Sequence, residues 1–238
     1  MKASIRLDLN ESCNACKLGC ADLFCNLPPQ WLRPLHAIKH TSMYPEGAVL
    51  FMEEQTPQGI LVLCKGRVKL SMTSAGGRTV ILRIVRAGEI LGLQAVVSGE
   101  PFQVTAETLE PCRINFINRE EFLRFLRGHA EASIRVAKQL GSDYHIACEL
   151  IRSMVLSRSV PRKLAKFLLE WSNHEQEVKT GTRTKLTLTH EEIGHIIGST
   201  RETVTRALAD LKSRQLAALT GSTLVIRNKA GLEQVANA

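Results

Sequence analysis

The sequence predicts an α+β chain in three parts: an N-terminal β-roll of the jelly-roll, cupin-like kind, a long dimerisation helix, and a C-terminal winged helix-turn-helix. Three observations carry that reading. Between Met43 and about Phe116, short β-rich runs alternate with glycine or proline breaks. From Ala137 to Met154, apolar residues recur at heptad spacing. From Thr189 to Leu216, two capped helices meet at a glycine. The divisions implied are a cysteine-rich segment at 1–26, the roll at 27–127, the helix at 128–157 and the winged domain at 158–238.

The first segment holds Cys13, Cys16, Cys20 and Cys25, four of the seven cysteines in the chain. C-x-x-C pairs serve zinc sites, redox dithiols and iron–sulfur clusters alike, so spacing alone leaves all three open. The N-terminus has no apolar core of signal-peptide length, and no apolar run is long enough for a membrane span. The expectation is a cytoplasmic protein with no membrane partner, in which thiols stay reduced. An odd cysteine count agrees with that. At 238 residues and 44% hydrophobic, the chain can bury a core in each of two domains.

A short helix is expected next in "PPQWLRPLHAIKHT", opened by Pro28 and Pro29. The runs "AVLFME", "GILVLCKG", "RVKLSMT", "TVILRIV", "QVTAETL" and "CRINFI" then read as strands. "YPEG", "SAGG", "RAGE" and "VSGEP" are the turns between them. Strands this short and this closely spaced make a roll or small barrel. Glu120 to Ser157 reads as helix. Ala137, Leu140, Tyr144, Ala147, Ile151 and Met154 recur at 3, 4, 3, 4, 3, a seam for a partner helix.

The last third carries much of the positive charge: 13 Lys+Arg against 8 Asp+Glu from Arg158 onward, within a chain total of +8. That balance favours a polyanion without proving one. "VPRKLAKFLLEWSNHE" is an amphipathic helix and "TKLTLT" a short strand. In "THEEIGHIIGSTRETVTRALADLKSRQL", Thr189 with Glu192 makes a capping box. Ile193, Ile196 and Ile197 form the apolar face, and Gly198 ends the helix in a left-handed corner. Ser199 with Glu202 makes a second box, and Val204, Leu208 and Leu211 are the buried face of the second helix. The candidate base-reading residues are Ser199, Thr200, Arg201, Glu202, Thr205 and Arg206 at the exposed start of that helix. Arginine suits guanine O6 and N7, and glutamate suits the cytosine amino group. An αα-hairpin with a solvated charged face has the same local pattern. "LAALTGSTLVIRN" reads as a hairpin wing turning at "TGS".

In that order of elements, "HEEIGHIIGSTRETVTRAL" resembles the recognition motif of the cyclic-AMP receptor protein/FNR family of bacterial transcription regulators. "GAVLFMEEQTPQGILVLCKGRVKLS" resembles its β-roll. The resemblance implies a homodimer that binds double-stranded DNA at a two-fold symmetric operator and contacts RNA polymerase. Arg201 ahead of Glu202, as in the cyclic-AMP branch, implies a half-site closer to TGTGA than to TTGAT. No enzyme is expected: there is no nucleophile–base constellation, phosphate loop or H-E-x-x-H. His190 and His195 of "HEEIGH" stand on different helix faces.

The cyclic-nucleotide branch holds the phosphate with an Arg-Ser pair. Here Gln103 and Val104 fall near that place, and Ala87 to Cys112 contains no Lys, Arg or His. A buried phosphate without a fixed cation is unfavourable, so no cyclic nucleotide is expected. The FNR branch instead holds an oxygen-labile 4Fe–4S cluster on N-terminal cysteines plus one from the roll. That resemblance implies Cys13, Cys16, Cys25 and Cys112 as ligands, with Cys20 spare. The spacing to Cys25 is longer than in that branch. Alignment through Phe122 puts Cys112 about three residues early, and an odd offset in a strand reverses its face. The other set is Cys13, Cys16, Cys20 and Cys25, with Cys112 a core thiol. Zinc on the same thiols, a dithiol switch, or a small molecule in the roll remain open. Haem also remains open, with His36, His40 and His145 as its histidines. Cys64 and Cys148 read as packing residues.

Overall fold

The computed structural model describes residues 34–35, 37–156, 159–172, 177–178 and 181–237. Cys13, Cys16, Cys20, Cys25 and His36, and the first half of the helix expected from Pro28, lie outside them. The described chain forms two compact units. One takes in the described residues up to Met72 and Arg83–Tyr144, the other Thr73–Leu82 and the described residues from His145 onward.

The roll is built from β1 (Lys39–Tyr44), β2 (Val49–Phe51), β3 (Gly59–Lys65), β4 (Arg67–Thr73), β5 (Thr79–Arg86), β6 (Ile90–Leu91), β7 (Thr105–Thr108) and β8 (Cys112–Asn118). They make two four-stranded sheets, β1-β8-β3-β6 and β2-β7-β4-β5. Three helices accompany them: α1 (Leu93–Ser98), α2 (Arg119–Gly128) and α3 (Ala130–Leu156).

β3 explains why the sequence reads "GILVLC" rather than alternating. Ile60 and Val62 join one apolar cluster with Leu93, Val96, Phe122 and Phe125, which belong to the helices. Leu61 and Leu63 join the other with Phe51, Val68, Val85, Ala106 and Ile114, contributed by both sheets. A strand covered on both faces must be apolar on both. Each fully buried Ile or Leu is worth about 1.5–3 kcal/mol relative to exposure.

The structure revises four expectations in the roll and the long helix. The stretch expected to be helical through Thr41 is already strand from Lys39, with Lys39 to Tyr44 paired antiparallel to Ile117 to Cys112. α1 was not expected; it is one short turn-rich helix between left-handed glycines at Gly92 and Gly99. Glu120–Ser157 is two helices rather than one. Asn118 caps α2 by accepting from the Glu120 N–H. The break falls at His129, whose Nδ1 lies 2.7 Å from the Phe125 carbonyl oxygen. Its ring also stacks on Phe125, with centroids 4.3 Å apart. Finally, the seam of α3 is not uniform. Leu140 is half-buried and packs on the helix-side cluster with Ala132 and Val136. Ala137 and Ala147 are exposed, as are Tyr144 and Ile151, and so is Ile134, which the heptad reading omitted. The Met154 side chain lies outside those described.

The C-terminal unit contains α4 (Val160–Ser172), β9 (Glu177–Val178), β10 (Gly181–Lys185), α5 (His190–Ile197), α6 (Arg201–Ser213), β11 (Ala217–Thr220), β12 (Thr223–Ile226) and α7 (Lys229–Asn237). Its sheet order is β11-β12-β10-β9. The expected strand "TKLTLT" is displaced. Pairing stops at Lys185, and Leu186 and Leu188 are buried in irregular chain leading to the cap at Thr189. The Trp171 indole N–H donates to the Lys185 carbonyl at 3.0 Å, which ties α4 to the end of β10. The wing hairpin lies where expected, turning at Gly221 and Ser222. α7 was not expected.

Candidate nucleic-acid interface and thiol site

α5 and α6 are set by local chemistry. Thr189 accepts from the Glu192 N–H, and Glu192 reaches back to the Thr189 N–H, so the predicted capping box is formed. Gly198 ends α5 at φ 65°, a left-handed position that glycine occupies without strain. The corner is close: the Ser199 N–H donates to the Gly194 carbonyl at 2.8 Å. Ile193 and Ile197 are buried from α5, and Val204, Ala207, Leu208 and Leu211 from α6. Ile196 is only half-buried.

The second capping box is not the one the sequence predicts. Thr200, not Ser199, is the N-cap of α6, and its hydroxyl oxygen accepts from the Thr203 N–H at 3.3 Å. The cap stands one residue later than expected, with the Ser199 N–H closing the corner on Gly194. Glu202 therefore stands in the first turn as an exposed acid. Its carboxyl is held below the usual carboxylate range first by a hydrogen bond from its own backbone N–H. The Thr200 hydroxyl follows, and the charges of Arg201 and Arg206 add to it. An ionised acceptor between two cations matches the donor groups on cytosine or adenine edges.

Thr200, Arg201, Glu202, Thr205 and Arg206 are all exposed, and Ser199 is half-buried. The six predicted residues thus occupy one corner and the first turns of one helix. A seventh residue joins them. His190 Nδ1 lies 2.8 Å from Thr205 Oγ1. The sequence reading weighed this histidine only as a metal ligand. The signal available was its place at the first position of α5, next to the corner that α6 must pack against.

Of the thiols predicted to hold a cluster, only Cys112 is among the described residues. It is fully buried among Phe51, Leu61, Val68 and Ile114. Its Sγ lies 3.1 Å from the Glu110 carbonyl oxygen and 3.4 Å from that of Arg67, with one S–H proton to share between them. Burial pushes the thiol above its ordinary pKa; a backbone hydrogen bond at Arg67 offsets part of the rise, and the Glu110 carboxylate adds to it. As placed, Cys112 is a core thiol, and to serve as a cluster ligand it would have to leave these carbonyls and ionise. Cys64 is half-buried, and its sulfur accepts from the buried Asn115 amide at 3.1 Å. Among the described residues no group of three or more His, Cys, Asp or Glu is arranged to hold a metal ion. No described helix is long and apolar enough to cross a membrane.

Inside the roll, Phe51 and Phe102 stack at 3.9 Å between centroids, with both rings buried. The ring of Phe102 lies against Gly92, where a Cβ would meet it at 2.8 Å. The helix that follows Gly92 thus sits directly on an aromatic pair.

Comparison with known proteins accords with both halves. Residues 42–129 match the cyclic nucleotide-binding domain family, and residues 162–235 match the Crp-like helix-turn-helix domain. The chain is 24% identical over 216 residues to a CRP-like cAMP-activated global transcriptional regulator of Mycobacterium tuberculosis, covering 90% of this chain and 96% of that one. It is 25% identical over 194 residues to the global nitrogen regulator of Synechocystis, covering 80% and 86%. Among solved structures, FixK2 from Bradyrhizobium japonicum superposes with a TM-score of 0.75 at 20% identity, covering 84% of this chain and 98% of that one. That likeness bears on the fold.

Proposed function

The chain belongs to the cyclic-AMP receptor protein/FNR family of DNA-binding transcription regulators, and on that footing we propose that it is a redox-responsive member whose sensor is an iron–sulfur cluster on its N-terminal cysteines. Regulators of this family bind DNA as dimers. Here the exposed apolar residues of α3, Ile134, Tyr144 and Ile151, are the surface offered to a second copy. Paired recognition helices then meet a two-fold symmetric operator, with Arg201 and Arg206 toward guanines and Glu202 toward an amino group. RNA polymerase is the further partner, and the compartment is the cytoplasm.

One observation carries the choice of signal: four thiols stand within Cys13 to Cys25, while Ala87 to Cys112 offers no cation for a phosphate. The stacked pair Phe51 and Phe102 supports the same choice, because it occupies apolar space inside the roll. A 4Fe–4S cluster would supply an oxygen-labile link among thiols. Cys13, Cys16 and Cys25 are common to both possible ligand sets. The fourth thiol is Cys20 or Cys112, and Cys112 reaches iron only by leaving two carbonyls and ionising in an apolar cluster.

The test is the visible spectrum and the iron and sulfide content of anaerobically purified protein, with serine replacing each of Cys13, Cys16, Cys20, Cys25 and Cys112. A broad brown absorption band, lost in the Cys13, Cys16 and Cys25 variants, is the expected result. Cluster retention in Cys112→Ser with loss in Cys20→Ser assigns the wholly N-terminal set; the reverse assigns Cys112. A colourless protein containing zinc overturns the iron–sulfur reading. Unchanged metal content in all five variants removes the thiols from the sensor.

A further inference from the structure

We propose that the two Cys148 thiols of a dimer face each other across the α3 seam and form a peroxide-sensitive pair that closes into an intersubunit disulfide. This rests on α3 being the dimer helix. The register comes from what the chain itself leaves open. The expected seam ran through Leu140, but Leu140 packs on the helix-side cluster of its own chain. Ile134, Ala137, Tyr144 and Ile151 are exposed instead. Gly141 and Cys148 complete these four into a spacing of 3, 4, 3, 4, 3. Gly141 is exposed, and a Cβ there would meet nothing within 4 Å among the described residues. Glycine is disfavoured in the middle of a helix, and no close neighbour in this chain requires it. A second helix lying against it does. Cys148, seven residues further along the same stripe, is half-buried in the single chain.

The pairing is parallel. α3 has 27 residues, so it is about 40 Å long, and the winged domain follows its C-terminal end. Antiparallel copies would send their recognition helices to opposite ends of that length, whereas a two-fold operator takes both on one face of the DNA. In a parallel pair the two-fold axis runs along the seam, and each seam residue meets its own copy. With helix axes about 8–10 Å apart and Cα atoms about 2.3 Å from each axis, the Cα atoms of such a pair lie about 4–6 Å apart. A disulfide spans about 4.4–6.8 Å between Cα atoms. Hydrogen peroxide is the oxidant class assigned. In the free chain, where Cys148 is half-exposed, its thiolate attacks a peroxide oxygen. The O–O bond breaks, hydroxide leaves and a sulfenic acid forms. On pairing, the thiolate of Cys148 of the partner subunit attacks that sulfur. The S–S bond forms, the S–O bond breaks, and hydroxide leaves to take up a proton. Two thiols and one peroxide thus give one disulfide and two waters. The covalent dimer no longer separates on dilution, so its recognition helices stay paired.

The experiment uses the whole chain, purified anaerobically, treated with hydrogen peroxide and blocked with N-ethylmaleimide. Without reductant, wild type is expected to run at twice the chain mass. After trypsin, the peptide from Gln139 to Arg152, whose only cysteine is Cys148, is expected to be linked to itself. The N-terminal thiols lie in other peptides, so their oxidation is told apart. Cys148→Ser loses the linked peptide. In sedimentation, the oxidised wild type stays dimeric at a dilution that separates the reduced protein, and dithiothreitol reverses this. The register is tested in the Cys148→Ser chain. There Gly141→Cys restores a linked dimer, and Ala147→Cys, on the seam through Leu140, does not. A protein that sediments as a dimer but links only through its N-terminal peptides overturns this inference and leaves the dimer helix intact. So does linkage of Ala147→Cys in place of Gly141→Cys. A chain that stays monomeric at every concentration, with and without operator DNA, overturns both.

Discussion

Gly194→Ala tests whether the helix corner is as close as it is placed. Gly194 lies in the middle of α5 and is buried. In a free helix, alanine would be favoured there by about 1 kcal/mol. Here a Cβ would lie 2.7 Å from the Ser199 carbonyl oxygen, with Thr200 C and Ser199 C at 3.4 and 3.5 Å. Ordinary contact begins near 3.4 Å, so the corner must yield by the difference, 3.4 − 2.7, about 0.7 Å. The atom in the way is backbone, and it cannot swing aside as a side-chain tip can. Overpacking of this kind costs about 1–3 kcal/mol, and the propensity gain offsets part of it. A net loss of about 1–2 kcal/mol is expected in urea unfolding, measured at fixed protein concentration so that any self-association weighs equally on both proteins. Operator affinity falls further than stability, by at least tenfold, since Arg201, Glu202 and Arg206 all ride on the displaced corner. Gly198→Ala is the contrast. Its Cβ meets nothing within 4 Å, but φ is 65°. The cost there is the left-handed backbone alone, about 1–2 kcal/mol. A Gly194→Ala protein that is as stable as wild type and binds operator normally would refute the close approach of α5 to the corner.

Three further outcomes are expected. Ile151→Glu places a charge on the exposed apolar surface of α3, where Ile151 is 61% exposed in the single chain. Burying that charge against a second copy costs about 3–5 kcal/mol, and sedimentation should show monomer; a variant that stays dimeric moves the interface elsewhere. Thr184 in β10 is buried, and its Oγ1 has no hydrogen-bond partner among the described residues. Thr184→Val is therefore expected to raise the urea midpoint by about 1 kcal/mol equivalent, and a lowered midpoint would mean the hydroxyl has a partner after all. Glu202 has its folded-state pKa lowered. Its contribution is full above the ordinary carboxylate range and is lost as pH falls through the lowered value. Tm should then fall more steeply on acidification in wild type than in Glu202→Gln, and parallel curves would show that the carboxylate is not held.

The winged domain was legible because its signals are local. Thr189, Glu192 and Gly198 act on neighbours within a few residues, and a capping box is read from spacing alone. The one error there, Ser199 for Thr200, has the same scale. Both residues cap well, and the structure puts Thr200 at the cap while the Ser199 N–H closes the corner on the Gly194 carbonyl. The roll was legible as strands but not as two faces. "GILVLC" reads as one apolar run, and only the pairing of β3 with β8 and β6 sends Ile60 and Val62 one way and Leu61 and Leu63 the other. β1 was missed for a related reason. "KHTSMY" has weak strand propensity, and it is extended because β8 offers an unpaired edge. The His190–Thr205 bond spans fifteen residues of sequence and two helices, and no local rule finds it.

Cys112 is the instance in which residue type alone says least. A cysteine at that place in the chain carries the same letter whether it faces iron or a core. What decides is the register of β8 against Tyr44 and the turn at Gly66 and Arg67. Gly66 sits at φ 98°, and a Cβ there would come within 2.5 Å of the Cys112 sulfur. The glycine is thus what lets the thiol lie against the turn and reach the Arg67 carbonyl. Ionising that sulfur in place would set a negative charge beside the Glu110 carboxylate, inside a cluster with Phe51 and Ile114. Burial and like charge oppose it together, each acting on the thiolate and neither on the thiol. Any role for Cys112 as a ligand therefore requires the Gly66–Arg67 turn to open first. Alkylation kinetics measure that opening: slow Cys112 labelling in native protein and fast labelling after unfolding is the expected pattern, and equal rates would show that the thiol is not enclosed.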